Sequence, residues 1–309
     1  MTVHLLRYRP WRGTLHGPGM GIWPIGRVAL QMMFRRKLFW ATYILGLMIF
    51  LLFFFGQYTL SWASSQAGDQ EVRIVGGMKE NPRVLVKQLG ENLKLNGKDV
   101  TYANFFWYQG YTVMMVLALA GSLLIGNDIQ YGSLPFYLAK PISRWHYLLG
   151  KGLAIGVFIN LMTTLPALIL FFEYGMLEEE YFWQSGYLVL GILGYGLILT
   201  LSLSVIIIAA ATWLRRTVPL IMGWATLFVF CRFIASVLVD RLHYHPRWRL
   251  IDLWNSTYLL GASCLRIPRW RLSPGAQPRW YEAAIFLGAV CLICLIYLIR
   301  RIRAVEIIR

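Results

Sequence analysis

The residues of this chain whose types and spacing could do chemistry are few. Most of them gather between Gly126 and Lys151, in GNDIQYGSLPFYLAKPISRWHYLLGK, where charge, aromatics, Gly and Pro mix between two long apolar runs. Leu149-Gly150-Lys151-Gly152 comes nearest to a phosphate-binding loop. It fails because Trp145 stands where that loop needs Gly, and Gly152 follows the lysine where Ser or Thr would hold magnesium. No nucleotide, Mg or other cofactor site is therefore read in this chain. Any ATP-driven step needs ATP and Mg bound by another polypeptide.

The remaining candidates are weaker. Cys291 and Cys294 form a C-x-x-C inside an apolar run without a second ligand pair, which reads as packing rather than metal or redox chemistry. His243-Tyr244-His245 precedes Pro246 in a polar loop. There is no H-E-x-x-H, nucleophile elbow or pair of intramembrane carboxylates, so the chain does not read as an enzyme. Asn255-Ser256-Thr257 matches a glycosylation triplet of a kind common by chance. Arg232 is the one cation inside an apolar run. It either snorkels or pairs with an acid such as Glu173 or Glu282, or it serves a substrate or gating role.

The elements that must position these residues are membrane helices. The chain has 309 residues, 58% hydrophobic and 14% charged, with mean hydropathy +0.54. Soluble domains carry about 25% charged residues, and a span needs roughly 20 apolar residues. The fold class expected is all-α and polytopic, with six spans at about 38–62, 105–125, 152–172, 186–212, 218–239 and 281–299. The net charge of +16 lies at the flanks of these spans, where membrane lipid headgroups attract it. No nucleic-acid partner is read, because no basic helix or stacking motif stands clear of the membrane.

Residues 1–37 read as a cytoplasmic basic arm followed by an amphipathic helix in the headgroup layer, with Ile25, Val28, Ala29, Met32 and Met33 on one face. The alternative is a cytosolic extension of the first span. Residues 38–309 form the transmembrane domain, with outer segments 63–104 and 240–280 and a cytoplasmic loop 126–151. In the first outer segment, Asn81-Pro82 starts a short helix with a stripe of Leu85, Leu89 and Leu93, and Asn96-Gly97 stops it. In the second, residues 251–261 suit a short interfacial helix. The all-acidic 173–185 loop opposes Arg215-Arg216 and the Arg-rich tail, which places both termini in the cytoplasm. Gly152 and Gly156, and the row Gly196, Thr200 and Ser204, read as helix-packing faces that could also line a pathway. Pro166 kinks the third span, and a neighbouring helix can satisfy the carbonyl it frees.

The stretch 126–151 resembles the first cytoplasmic loop of permease subunits of type-2 ATP-binding-cassette exporters. That family shows an acid, then Gly-[ST]-Leu, a Leu-like run, Pro-x-Ser-Arg and a Gly-Lys opening the third span. The matching positions are Asp128, Gly132-Ser133-Leu134, Leu138, Pro141-Ile142-Ser143-Arg144 and Gly150-Lys151. The six-span layout, the elbow helix and the basic tail extend the likeness. From the residues themselves, Ser133 can cap a short helix and Pro141 ends it. Phe136, Tyr137 and Leu138 then offer an apolar knob, with Lys140, Arg144 and Lys151 beside it for acidic partners or headgroups. The alternative is an ordinary positive-inside loop. The resemblance implies an export permease that dimerises with itself or a similar chain, coupled to two separate ATPase subunits and moving a hydrophobic or amphiphilic cargo. A non-transporting membrane scaffold or sensor in an assembly or maturation complex is the rival reading.

Overall fold

The computed structural model describes residues 21–66, 72–73, 79–121, 143–178, 180–272 and 276–301, with single positions at 124, 126 and 128. The described chain is almost wholly helical. Its strands are Val72–Arg73 and Lys79–Glu80, paired antiparallel. In order, the principal helices are α1 (Ile22–Phe34), α2 (Lys37–Gln66), α3 (Pro82–Leu93), α4 (Asp99–Gly121), α5 (Arg144–Met162), α6 (Thr164–Leu177), α7 (Tyr181–Ser185) and α8 (Tyr187–Leu214). A helix over Thr217–Arg241 follows, then α9 (Leu253–Cys264) and α10 (Trp280–Arg301).

Among the described residues five helices are long and apolar enough to cross a membrane: Lys37–Gln66, Arg144–Leu177, Tyr187–Leu214, Thr217–Arg241 and Trp280–Arg301. The expected second span coincides with α4, which does not reach that apolarity. Its polar positions are tolerable because it is enclosed by other helices: Tyr102, Gln109 and Thr112 are all buried. α8 is the hub, packing against α4, α5, α6, α9 and α10.

Helix bounds differ from those expected at two points. The helix expected as the third span begins at Arg144 rather than Gly152, because Ser143 caps it. The Ser143 hydroxyl lies 2.5 Å from His146 Nδ1, and the Ser143 N–H donates to the same ring nitrogen. Arg144, Gly150 and Lys151 therefore stand on a helix, not in a loop. α3 stops at Leu93, ahead of Asn96-Gly97, because Lys94 takes a left-handed φ of 56° and the Leu95 N–H closes onto the Gly90 carbonyl at 2.9 Å. Its Leu89 and Leu93 are exposed, while Gly90 packs on Leu60 of α2. On α1, Ile25, Ala29 and Met33 are buried against the other helices, while Val28 and Met32 of the same apolar face are exposed.

Pro166 behaves as its chemistry requires. It has no N–H to give Met162, and the helix breaks at Thr163. The freed Met162 carbonyl accepts a 2.7 Å hydrogen bond from Gln109 Nε2 on α4. Beyond the helix Thr217–Arg241, which holds π-helical turns at Thr226–Phe230 and Val237–Arg241, the chain makes a 3-10 turn at Pro246–Ile251 and enters α9. α9 was expected on the surface. It is instead buried along nearly its whole length, and Trp254 fits against Gly110 of α4, where a Cβ would lie only 2.0 Å from the indole. Asn255, Ser256 and Thr257 are buried with it, so the glycosylation triplet is enclosed in the fold.

Candidate functional site

Asp128 and Lys151 meet. The Lys151 ammonium lies 2.8 Å from Asp128 Oδ2, with the lysine side chain 3% exposed and the aspartate 12%. Tyr147, one turn before Lys151 on α5, donates its hydroxyl to the same carboxylate oxygen at 2.9 Å, and the ammonium stands 5.7 Å from the Tyr147 ring centroid. A buried charge pair survives only when its members satisfy each other. Here one carboxylate takes both an ammonium and a phenol, and the pair fixes residue 128 to α5.

The same end of that helix makes two further attachments. Gly150 is the crossing point with α1: a Cβ there would lie 2.8 Å from Ile25 Cβ, and one on Gly26 would lie 3.1 Å from the Gly150 carbonyl oxygen. Only glycines permit so close an approach. Arg144 donates to the Ile299 carbonyl of α10 at 3.3 Å. Of the remaining loop residues singled out from sequence, Ser143 is the cap just described. Gly132, Ser133, Leu134, Phe136, Tyr137, Leu138, Lys140 and Pro141 lie outside the described residues.

The two small-residue rows face each other. Gly152 and Gly156 on α5, with Thr200 and Ser204 on α8, line one groove of about 860 Å³. Gly196 abuts it, and a Cβ there would strike the Thr164 hydroxyl at 2.0 Å. Asn160, which carried no signal in the sequence, is the polar pin of this seam. Its amide donates to Thr200 Oγ1 at 2.7 Å and to the Gly156 carbonyl at 2.8 Å, and its oxygen accepts from Thr164 at 2.7 Å. The rest of the wall is aliphatic apart from Trp145.

Arg232 finds aromatic partners, and neither Glu173 nor Glu282 pairs with it among the described residues. Its guanidinium lies 4.6 Å from the Trp107 ring and 5.3 Å from Tyr111, and donates to the Tyr111 hydroxyl. Glu282 is taken by Arg247 at 2.9 Å. Both Glu173 oxygens are buried without a partner among the described residues. A small cavity of about 70 Å³ joins Arg232, Trp107 and Ser236 to Arg249, Asp252 and Asn255. Arg249 is buried and binds Asp240. Asp252 caps α9 by accepting from the Asn255 N–H at 3.1 Å. Burial pushes the Asp252 carboxyl up, against the opposing pull of that hydrogen bond and the two arginines. Sequence reading missed Arg249 and Asp252 because their segment looked like a surface loop; the Asp-x-x-Asn start of α9 was the available signal.

Cys231, Cys264, Cys291 and Cys294 are free thiols. Among the described residues no group of three or more His, Cys, Asp and Glu is placed to hold a metal ion. A scan of protein-family models gives no match to the chain, and a search of curated proteins gives none either.

Proposed function

We propose that this chain is the permease subunit of a type-2 ATP-binding-cassette exporter, coupling ATP hydrolysis by separate subunits to the export of a hydrophobic or amphiphilic substrate. The observation that carries the reading is the buried Asp128–Lys151 pair. It ties the start of the loop to the helix that the loop leads into, and Ser143 and Arg144 secure the loop's other end. A segment held at both ends transmits a push to the membrane helices instead of absorbing it. Gly150 passes the same displacement to α1 through its backbone contact with that helix.

In this reading α4 is the second of six spans, both termini are cytoplasmic and α1 lies as an elbow in the headgroup layer. The chain pairs with a second permease chain, identical or similar, and two ATPase subunits bind ATP and Mg and grip the knob Phe136, Tyr137 and Leu138. Closure of the ATPases rocks the helical halves between inward-open and outward-open states.

The test is affinity purification of the tagged full-length chain co-expressed with its neighbouring gene products. A P-loop ATPase should copurify, and deleting residues 133–138 should release it. Survival of both association and transport in the deletion variant would defeat the docking assignment.

A further inference from the structure

We infer that the groove between α5–α6, α8 and α10 is a binding site for an anionic phospholipid of the leaflet that faces Arg144, Arg300 and Arg301. The inference does not depend on the ATPase reading, only on the helices being embedded in a bilayer.

The groove's chemistry selects an apolar occupant. At about 860 Å³ it lies within the roughly 300–1,000 Å³ range of small-ligand sites. Its walls are leucines, valine and isoleucine, with glycines at Gly152 and Gly156 giving it depth. The polar pin at Asn160 offers no free hydrogen, since both its amide donations and its acceptance from Thr164 are internal to the seam. The Ser204 hydroxyl is buried without a partner among the described residues, and this single group is too little to replace the hydration of a polar cargo. An acyl chain loses nothing on entering, and would fill a depression that lies along helices with exposed Leu149, Val157, Leu165 and Leu201.

The mouth supplies the charge. Leu295 and Leu298 of α10 close the groove as a third wall near the end where Ile22, Trp145 and Leu148 also line it. One turn away, Arg144 reaches the Ile299 carbonyl, so the start of α5 and the end of α10 are joined at this opening. Arg144, Arg300 and Arg301 are all exposed there, and among the described residues none of them makes an ion pair. Trp145, 44% exposed, sits at the same level, as interfacial aromatics do. Arginines at the adjoining ends of α5 and α10, beside an apolar slot, match a phosphate-bearing headgroup next to a hydrocarbon tail, with each arginine near an anionic surface worth about a fivefold preference.

The experiment reconstitutes the full chain in phosphatidylcholine vesicles containing either phosphatidylglycerol or phosphatidylcholine spin-labelled at the chain end, and reads the motionally restricted fraction by electron paramagnetic resonance. The expected result is at least about a fivefold preference for labelled phosphatidylglycerol. Arg144→Ala/Arg300→Ala/Arg301→Ala should bring the two lipids to equality, and the matching triple Lys variant should keep the preference. Val157→Trp/Leu201→Trp, which fills the groove and leaves every charge in place, should also abolish the preference. Equal restriction of both lipids by the wild-type chain would overturn the proposal. So would a preference that survives the groove-filling variant, since headgroup attraction alone would then account for it.

Discussion

Lys151 holds Asp128 at 2.8 Å in a site almost closed to solvent, with Tyr147 completing the carboxylate's hydrogen bonding. One residue precedes the segment 129–142 and the other stands on the helix that follows it. Breaking a buried pair from one side leaves an uncompensated charge and costs about 3–5 kcal/mol. Lys151→Met should therefore lower thermal stability sharply. Asp128→Asn/Lys151→Met, with no charge left to strand, should recover much of that loss. In the proposed permease both variants should uncouple ATP hydrolysis from transport, the double variant while remaining well folded. Thermal unfolding in detergent and ATPase-to-transport ratios in vesicles measure the two effects separately.

Gln109 and Pro166 form a complementary set across two helices. Gln109→Leu leaves the Met162 carbonyl without its donor and should cost about 1–3 kcal/mol. Pro166→Ala restores an N–H that can reach Met162 within the helix, so it should be neutral to stabilising in the Gln109→Leu background. A double-mutant cycle on unfolding free energy checks this. Simple additivity of the two substitutions would contradict the assignment.

Asp252 makes stability depend on pH in a stated direction. Its folded-state pKa is raised by burial, so the ionised form is disfavoured in the folded chain. A raised carboxylate pKa means a contribution that is present in acid and lost as pH rises through the folded value. Asp252→Asn retains a residue able to cap α9 and removes the titration. The variant should be at least as stable as wild type at neutral pH, and its relative advantage should shrink as the pH is lowered through the wild-type carboxyl's titration. Unfolding midpoints of both proteins across an acid-to-neutral series read this out.

How much of this was legible beforehand follows from the range of each interaction. Apolar runs set the membrane helices, since a span declares itself locally by length and composition. α4 declares itself less, because Thr101, Tyr102 and Gln109 are made acceptable by neighbouring helices that the local sequence does not reveal. The start of α5 at Arg144 depended on one capping hydroxyl, outweighed in a reading by hydropathy. The spacing on α1 marked an apolar face, but not that α5 meets that helix through Ile25 and Gly26. Pro166 announced both its kink and the need for an outside donor, but not that Gln109 would be the donor. Asp128 and Lys151 each stood out, and nothing in their spacing told that they pair. For Arg232 the sequence left snorkelling, an acid partner or a gating role open; the fold sets it against Trp107 and Tyr111, with Asp252 across the same small cavity.

The central claim is that the segment after Asp128 grips an ATPase, and a photo-crosslink tests it most directly. A benzophenone amino acid placed at Phe136, in the full chain expressed with its neighbouring gene products, should form a single adduct with a P-loop ATPase subunit on irradiation, and the adduct should weaken when Phe136 is flanked by Tyr137→Asp and Leu138→Asp. Adducts confined to lipid, or to proteins without a nucleotide-binding motif, would contradict the account.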